Sequence, residues 1–412
     1  MARDADDPRP PVLDVDRLLD DPRTRIIVCC GSGGVGKTTT AAALGLRAAE
    51  RGRHVVVLTV DPARRLAQSM GLTSLDNTPR PVPGAVSDPQ LGGSLHAMML
   101  DMKRTFDEIV EAHSDPDRAA QILANPFYQS LSSSFAGTQE YMAMEKLGQL
   151  RQAEEWDLIV VDTPPSRSAL DFLDAPQRLG RFLDGRLIRL LTVPTRVGGR
   201  TYMRVVTAGF GVLTGVITKV IGTQLLRDVQ TFVAAFDTMF GGFRQRADDT
   251  YRLLQAPGTA FLVIATPEPD ALREASYFVE RLSQDQMPLA GLVVNRVHRS
   301  PAAQLSAARS LAAAEALQSA PVQTLIRPNE GPAAGAGRYP LAATALRLHA
   351  ERMQLGERER RLEEHFTAAH PVIPVTEVPA QPVDVHDLDG LRAIGAELAK
   401  AAGAGPGTLA GG

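Results

Sequence analysis

The sequence has 412 residues, of which 44% are hydrophobic and 22% charged, so it is long and apolar enough to bury a large core and is not a disordered chain. Its formal net charge is −3, with 44 basic against 47 acidic side chains, and this balance gives no electrostatic reason to expect a nucleic-acid partner. The two cysteines, Cys29 and Cys30, are adjacent, which excludes a disulfide framework or a cysteine-based zinc site within one chain. Together with a polar, acidic N-terminus, these features predict a cytoplasmic protein.

The chain opens with a polar stretch rich in Asp and Pro, residues 1–22, which predicts a flexible tail. Residues 25–30 are a short apolar run, followed by a glycine-rich turn and an Ala- and Leu-rich helical stretch that ends at Gly52. A second apolar run covers residues 54–60. This order of strand, helix and strand predicts a βαβ unit of a parallel sheet that is buried on both faces.

Five further apolar runs fit the same sheet, namely residues 94–100, 156–161, 260–265, 290–295 and 321–326. Helical patterns separate them, so the predicted class is α/β, a doubly wound, mostly parallel sheet. This pattern predicts one ordered domain over residues 23–345, with helical insertions at about 105–154 and 176–256 that form a subdomain. A C-terminal helical segment over 346–400 and a disordered tail over 401–412 are expected to follow.

A glycine-rich motif of the form G-x-x-x-x-G-K-[ST] lies between the first predicted strand and the first predicted helix. It consists of Gly31, Ser32, Gly33, Gly34, Val35, Gly36, Lys37 and Thr38, followed by Thr39. The glycines let backbone N–H groups surround an anion at a helix N-terminus. Lys37, one of only five lysines in the chain, is expected to reach the β- and γ-phosphates, and the Thr38 hydroxyl to ligate Mg²⁺.

A phosphate-binding loop of this kind needs an acidic residue at the end of a neighbouring strand to hold Mg²⁺ or its water. Asp162 follows an apolar run and is the first candidate, and Asp61 ends another predicted strand and is the second. Asp157 begins the strand that ends at Asp162, so it should lie at the opposite edge of the sheet. The guanine-reading Asn-Lys-x-Asp motif is incomplete after Asn295, which favours ATP over GTP.

Four segments of the chain resemble, in this order, the arsenite-pump ATPase and tail-anchored-protein targeting factor family: GSGGVGKTTTAAALGL, VDPARRLAQSMGL, VVDTPPSRSALDFLDAP and GLVVNRV. This family belongs to the deviant P-loop branch that includes the Min and partition ATPases. The resemblance implies a dimer that closes over ATP beneath a helical subdomain. It also implies that Asp61 and its neighbours form the first switch, that residues 162–168 form the second, and that Asn295 contacts adenine.

The chain departs from the family pattern at several positions. Ser32 occupies the place where the family usually has a lysine that reaches the partner's phosphates, so a homodimer would lack both of these cations. Gln68 stands where an Asp usually orients the attacking water, and Gln orients water in other P-loop enzymes. Arg64 or Arg167 could replace the missing charge within a homodimer. The cysteines of the zinc and arsenite sites are absent.

The second predicted insertion contains the most apolar part of the chain. Residues 205–226 include Lys219 and several Gly and Thr, which favours a buried or partner-facing helix over stable membrane insertion. Phe232, Phe236, Phe240 and Phe243 recur at helical spacing. They form either an ordinary helix–helix core, the commoner case for such a pattern, or a groove for a hydrophobic protein client.

The sequence therefore predicts an ATP hydrolase with ATP and Mg²⁺ as cofactors, Lys37, Gln68 and Asp61 as catalytic residues, and Thr38, Asp61 and Asp162 at the metal. Its partner is expected to be a second copy in a homodimer or a paralogous ATPase in a heterodimer, with a hydrophobic protein as client. Two alternatives stay open: a weakly hydrolysing or non-hydrolysing subunit of a heterodimer, and a P-loop small-molecule kinase or ligase.

Overall fold

The computed structural model describes residues 10–60, 65–86, 92–126, 128–129, 138–164, 245–246, 248–319 and 338–403. Within these ranges the strands are β1 Ile26–Cys30, β2 His54–Thr59, β3 Arg80–Pro81, β4 Ser94–Met99, β5 Leu158–Asp162, β6 Thr259–Ala265, β7 Leu289–Val297 and β8 Val375–Pro379. The helices are α1 Val15–Asp20, α2 Lys37–Glu50, α3 Arg65–Ser69, α4 Met102–His113, α5 Pro116–Leu123, α6 Thr138–Gln152, α7 Pro269–Gln284, α8 Ala307–Ser319, α9 Arg338–Ala369 and α10 Leu388–Gly403.

The strands form one eight-stranded sheet in the order β3-β4-β2-β5-β1-β6-β7-β8. The pairs are parallel except for β3 with β4, which is antiparallel. The chain moves from β1 to one side of the sheet through β2 and later to the other side through β6, β7 and β8. This is a doubly wound arrangement, and ligands bind such sheets where the winding direction changes. The predicted α/β class is confirmed.

The central strands are buried on both faces, which explains why their sequences are continuous apolar runs. All five residues of β1 are buried, as are all five of β5 and all seven of β6. The register aligns Asp162 at the end of β5 with Cys29 of β1 and with Thr59 of β2. The carboxyl ends of the strands that carry the predicted site residues therefore meet at one edge of the sheet.

The described residues that precede β1 are ordered against the sheet, whereas the sequence predicts a flexible tail there. Val12 pairs with Val375 of β8 in an isolated bridge, and α1 buries Val15 and Leu19. Asp16 accepts a 2.6 Å hydrogen bond from the Arg47 guanidinium of α2. The sequence pattern missed this segment because one short helix with two buried side chains gives too few repeats for a period to show.

The C-terminal segment also differs from the prediction, in which residues 346–400 form a helical segment. Helix α9 begins earlier, at Arg338, and is 32 residues long. It is followed by a strand, β8, that pairs in parallel with β7 at the sheet edge. Strand β8 was missed because its five residues include Thr376, Glu377 and a terminal proline, so the apolar run is too short to predict a buried strand.

Several predictions fall outside the described residues: the strand at 321–326, the apolar stretch 205–226 and the four phenylalanines of the second insertion. The first insertion is described in large part, and α4, α5 and α6 lie there as helices. None of the helices in the described ranges has the length and apolarity that crossing a bilayer requires.

Candidate nucleotide-binding site

The glycine-rich motif forms the turn between β1 and α2. Gly36 caps the helix in a left-handed conformation, with φ 97°, and its carbonyl accepts a 2.9 Å hydrogen bond from the Thr40 N–H. Lys37 is the first residue of α2 and is buried. Its ammonium donates to the carbonyls of Gly31 at 3.0 Å and Ser32 at 2.8 Å, so the charge lies inside the loop.

The Asp162 carboxylate lies directly beside this turn and is fully buried. Its Oδ2 accepts hydrogen bonds from the Thr38 hydroxyl at 2.7 Å and from the Thr59 hydroxyl at 2.9 Å. Hydroxyl and carboxylate oxygens are the ligands that Mg²⁺ prefers, and it usually binds through one or two protein groups plus substrate phosphates. The donor set of Thr38 and Asp162 fits that ion, with Asp162 either as a ligand or holding a ligating water.

Asp157, at the start of the same chain segment, lies at the other edge of the sheet, as expected. Its carboxylate accepts a 2.9 Å hydrogen bond from the His54 backbone N–H at the beginning of β2. Its carbonyl accepts one from the Arg53 guanidinium. These contacts join strand beginnings to one another and are structural.

The cysteines line the interior beneath the site and are not placed for chemistry. The pKa of Cys29 is raised, mainly by burial of the thiol and further by the nearby negative charge of Asp162. Burial raises the pKa of Cys30 to about 12. Because the thiolate is the reactive form of cysteine, both side chains are held in an inert state at neutral pH.

A cavity of about 1130 Å³ opens at the turn. Its lining comes from the glycine-rich turn, α2 and α3, and also from the ends of β5 and β7, the segment after β8 and α10. The lining residues are Gly33, Gly34, Gly36, Lys37, Thr38, Thr39, Thr40, Gln68, Ser69, Thr163, Asn295, Arg296, Pro379, Ala380, Gln381, Val383, Asp384, Val385, His386 and Ile394. Its volume lies just above the usual range for small-molecule sites.

Asn295 lies in the cavity wall at the end of β7 and is bonded to the glycine-rich turn. Its side-chain Nδ2 donates to the Val35 carbonyl at 2.8 Å, and its Oδ1 accepts from the Arg296 N–H at 3.0 Å. Arg296 adopts a left-handed conformation with φ 63°, which is unusual for a residue other than glycine. Asn295 therefore positions the turn, and its contact with adenine stays a prediction.

Of the remaining predicted residues, some are described by the structure and others lie outside the described ranges. Gln68 lies on α3 and lines the same cavity as Thr38 and Thr39. Ser32 is half-buried at the start of the turn. Asp61, Arg64 and Arg167 lie outside the described residues, so their roles stay predictions.

The segment that follows β8 is the largest part of the site that sequence reasoning missed. Seven of the eight residues from Pro379 to His386, all but Pro382, line the cavity together with Ile394 of α10. The segment is proline-rich and polar, with no recognisable phosphate or metal motif. The signal that could have found it was positional, since whatever follows a strand of this sheet lies at the ligand-binding edge.

The fold and the site together define a P-loop nucleotide hydrolase. The model of the anion-transporting ATPase family matches residues 24–326, and the chain belongs to that family, a class of ATP hydrolases. The family expected from the sequence is thereby confirmed.

Curated relatives agree with this membership. The "ATPase GET3" of Malassezia globosa is 31% identical over 178 residues, which are 43% of this chain and about half, 50%, of that protein. The "ATPase get3" of Schizosaccharomyces pombe is 24% identical over 296 residues, covering 72% of this chain and 79% of that protein. The "ATPase ARSA2" of Chlamydomonas reinhardtii is 26% identical over 301 residues, covering 72% and 73%.

The contact between Gly36 and Asn295 gives a testable prediction with a matched control. A Cβ at Gly36 would lie 2.2 Å from Asn295 Nδ2, whereas a Cβ at Gly34, whose φ is also positive, would meet nothing within 4 Å. Gly36→Ala should displace the Asn295 amide from Val35 and lower ATP affinity by about 5- to 100-fold more than Gly34→Ala, since a lost buried hydrogen bond costs about 1–3 kcal/mol. Calorimetric titration of both variants with ATP measures the difference, and equal affinities would contradict it.

Proposed function

We propose that this cytoplasmic ATPase works as a nucleotide-driven dimeric switch that handles a protein client through its helical insertions. The observation that carries the ATPase part of the proposal is the contact of Thr38 with Asp162 beside the Lys37 turn. It assembles a phosphate nest, a cation and a pair of metal-binding oxygens at one point of a large cavity.

The chemistry proposed at this site is hydrolysis of the β–γ bond of ATP. The backbone N–H groups of the turn and the Lys37 ammonium would hold the β- and γ-phosphates and stabilise the charge that develops on them. Mg²⁺, held by Thr38 and Asp162, would neutralise phosphate charge. Gln68 would orient the attacking water through its side-chain amide, as a glutamine does in small GTPases.

Partly buried polar contacts link the loop that follows α3, a helix that lines the cavity, to the helical insertion. Helix α3, which carries Gln68, is followed by the loop 70–79, and Asn77 in this loop is buried. The Asn77 side-chain amide nitrogen donates to both carboxylate oxygens of Glu108 on α4 at 3.1 Å, and its oxygen accepts from the Asp101 N–H at 3.0 Å. Glu108 in turn pairs at 3.0 Å with Lys146 of α6, which is also buried. A nucleotide-dependent shift of α3 would pass through these contacts to α4 and α6.

The client and the dimer rest on the family resemblance and on the apolar second insertion. Two alternatives make different predictions. In a heterodimer, a paralogue would supply the cation that Ser32 lacks. A small-molecule kinase or ligase would release little phosphate without a metabolite acceptor, so basal phosphate release from ATP alone separates it from the switch.

The nucleotide site is tested by two substitutions with different expected effects. Lys37→Ala should abolish detectable ATP binding, because it removes the charge-assisted contact to the phosphates. Asp162→Asn should reduce steady-state phosphate release far more than ATP affinity, because the carboxylate acts mainly through Mg²⁺. Calorimetry and a phosphate-release assay measure the two quantities. Wild-type affinity in Lys37→Ala would overturn the site.

The proposed coupling is tested by hydrogen exchange of α4 with and without a non-hydrolysable ATP analogue. In the wild type the analogue should slow exchange in α4, and Asn77→Ala should abolish that difference. Thr78→Ala is the matched control, since Thr78 is the exposed neighbour, and this variant should behave as the wild type. If α4 exchanges equally in both nucleotide states of the wild type, the coupling is wrong.

The heterodimer alternative is tested at Ser32. If a missing cross-site cation limits turnover, the protein alone should be a slow ATPase, and Ser32→Lys should raise turnover by a factor of about 10³ or more, the lower bound for trans-acting arginines in related enzymes. Efficient wild-type turnover that Ser32→Lys does not raise, but that falls in Arg64→Ala or Arg167→Ala, would show instead that an arginine within the homodimer supplies the charge.

A further inference from the structure

Helix α9 carries a row of leucines at its surface, which we name the leucine stripe. It consists of Leu341, Leu348 and Leu355, spaced seven residues apart, with Leu362 as the next position of the same row. The side chains of the first three are 73%, 61% and 38% exposed, and Leu362 is partly buried against the core. Among the described residues these are three of the four exposed leucines, so the concentration on one helix line is not the scatter usual for surface apolar residues.

The leucine stripe lies on the face of α9 opposite to the one that packs within the fold. Ala343 and Ala350 of α9 and Ala314 of α8 are buried where the two helices pack. At 3.6 residues per turn, Leu348 is turned by roughly 140° from Ala343 and roughly 160° from Ala350. Within the described residues, α9 therefore packs one face against α8 and carries a second apolar line that no element covers.

Four charged residues flank the leucine stripe three or four positions after Leu348 or Leu355. Two of them bond within the chain, Arg352 to the Arg299 carbonyl and Glu359 to His298, which leaves Glu351 and Arg358. Glu351 follows Leu348 and Arg358 follows Leu355, each three positions on, which places them on the same side of the helix as the stripe. Both are exposed, and within the described part of the chain neither forms an ion pair. Other charges on this helix do pair within it, as Arg360 does with Glu357 and Glu364. Glu351 and Arg358 are therefore available to an external partner.

We propose that the leucine stripe binds the leucine stripe of a second copy of this chain, with the two α9 helices antiparallel and a two-fold axis near Leu355. In that register Leu355 meets its own equivalent and Leu348 meets Leu362 of the other copy. Glu351 lies across from Arg358 of the other copy, and the two-fold repeats this pair. One helix face thereby supplies both the apolar contact and its own complementary charges.

The charges decide orientation and register. In a parallel pair, Glu351 and Arg358 of one copy would lie on the opposite side of the seam from those of the other copy, so they could not pair, whereas the antiparallel pair brings Glu351 of each copy beside Arg358 of the other. The leucines alone would also permit an axis at Leu348, but only an axis near Leu355 places opposite charges together. Because exposed ion pairs contribute little energy, the leucines should supply the affinity and the charges the specificity.

This contact is independent of the proposed nucleotide-driven closure. Of the described residues that line the cavity, none belongs to α8 or α9. Association through the leucine stripe should therefore occur without nucleotide. Its failure would leave the ATPase site untouched, and loss of the ATPase site would leave this association intact.

The first test measures self-association of the full chain without nucleotide by sedimentation equilibrium. The wild type should form dimers or larger even-numbered assemblies, and Leu348→Ser should raise the dissociation constant at least about tenfold, since a buried leucine is lost from each copy. Leu311→Ser is the matched control, because Leu311 on α8 is 38% exposed, as Leu355 is, and lies outside the stripe. It should associate as the wild type does. Unchanged thermal unfolding would show that both variants fold.

A monomeric wild type would overturn the proposal. So would Leu348→Ser that folds and associates as strongly as the wild type. Association that appears only with ATP would overturn it as well, because the stripe is exposed without nucleotide.

The second test uses the absence of accessible native thiols. Both natural cysteines are buried in β1, so Leu355→Cys introduces a surface thiol at the proposed axis. Mild oxidation should cross-link this variant into a disulfide-linked dimer, whereas Leu311→Cys should stay monomeric on a non-reducing gel. Cross-linking of Leu348→Cys but not Leu355→Cys would overturn the proposed register.

The third test exchanges the charges. Glu351→Arg alone and Arg358→Glu alone should each lower the cross-linking yield of Leu355→Cys by placing like charges across the axis. The double variant should restore it, because the complementary pair is re-formed with reversed signs. A double variant that remains as impaired as the single variants would overturn the antiparallel arrangement.

Discussion

The candidate nucleotide site depends on one buried carboxylate. Asp162 is fully enclosed at the end of β5 and accepts hydrogen bonds from hydroxyls on α2 and β2, those of Thr38 and Thr59. A carboxylate without partners in such a place would cost several kcal/mol, so the surrounding groups must stay in position for the fold to be stable. The same geometry that satisfies this charge places the Thr38 hydroxyl where a phosphate-bound Mg²⁺ is expected. Stability and function therefore make the same demand on these residues.

Helix α2, which presents the phosphate-binding turn, is held at its far end by segments from both ends of the described chain. Arg47 is bound by Asp16 of α1, and Glu50 by Arg392 of α10. Helix α10 also contributes Ile394 to the cavity, and the segment before it lines the same cavity. Residues of the cavity lining are thus attached to the helix that is proposed to bind the phosphates. A substitution in α1 or α10 should therefore alter the position of the residues that line the cavity.

Features of the fold and the site that depend on neighbouring residues could be predicted from the sequence, and those that depend on residues far apart in the sequence could not. The turn from Gly31 to Thr38 is fixed by local requirements for positive φ and for a cation, and Asp162 by a strand end, so both were predicted from pattern alone. The bond from Asn295 to Val35 joins residues 260 positions apart, and no local rule anticipates it. Strand β8 and helix α1 were missed because each forms only by packing against elements distant in the sequence, and short segments carry little periodicity of their own.

The most direct test of this account is a crystal structure of the protein with Mg²⁺ and a non-hydrolysable ATP analogue. The account predicts that the β- and γ-phosphates lie in the turn within hydrogen-bond distance of Lys37 Nζ. Mg²⁺ should be bound by the Thr38 hydroxyl at about 2.1 Å, with Asp162 binding the ion or one of its waters. A nucleotide bound elsewhere in the cavity, or a metal ion that contacts neither Thr38 nor Asp162 directly or through water, would contradict it.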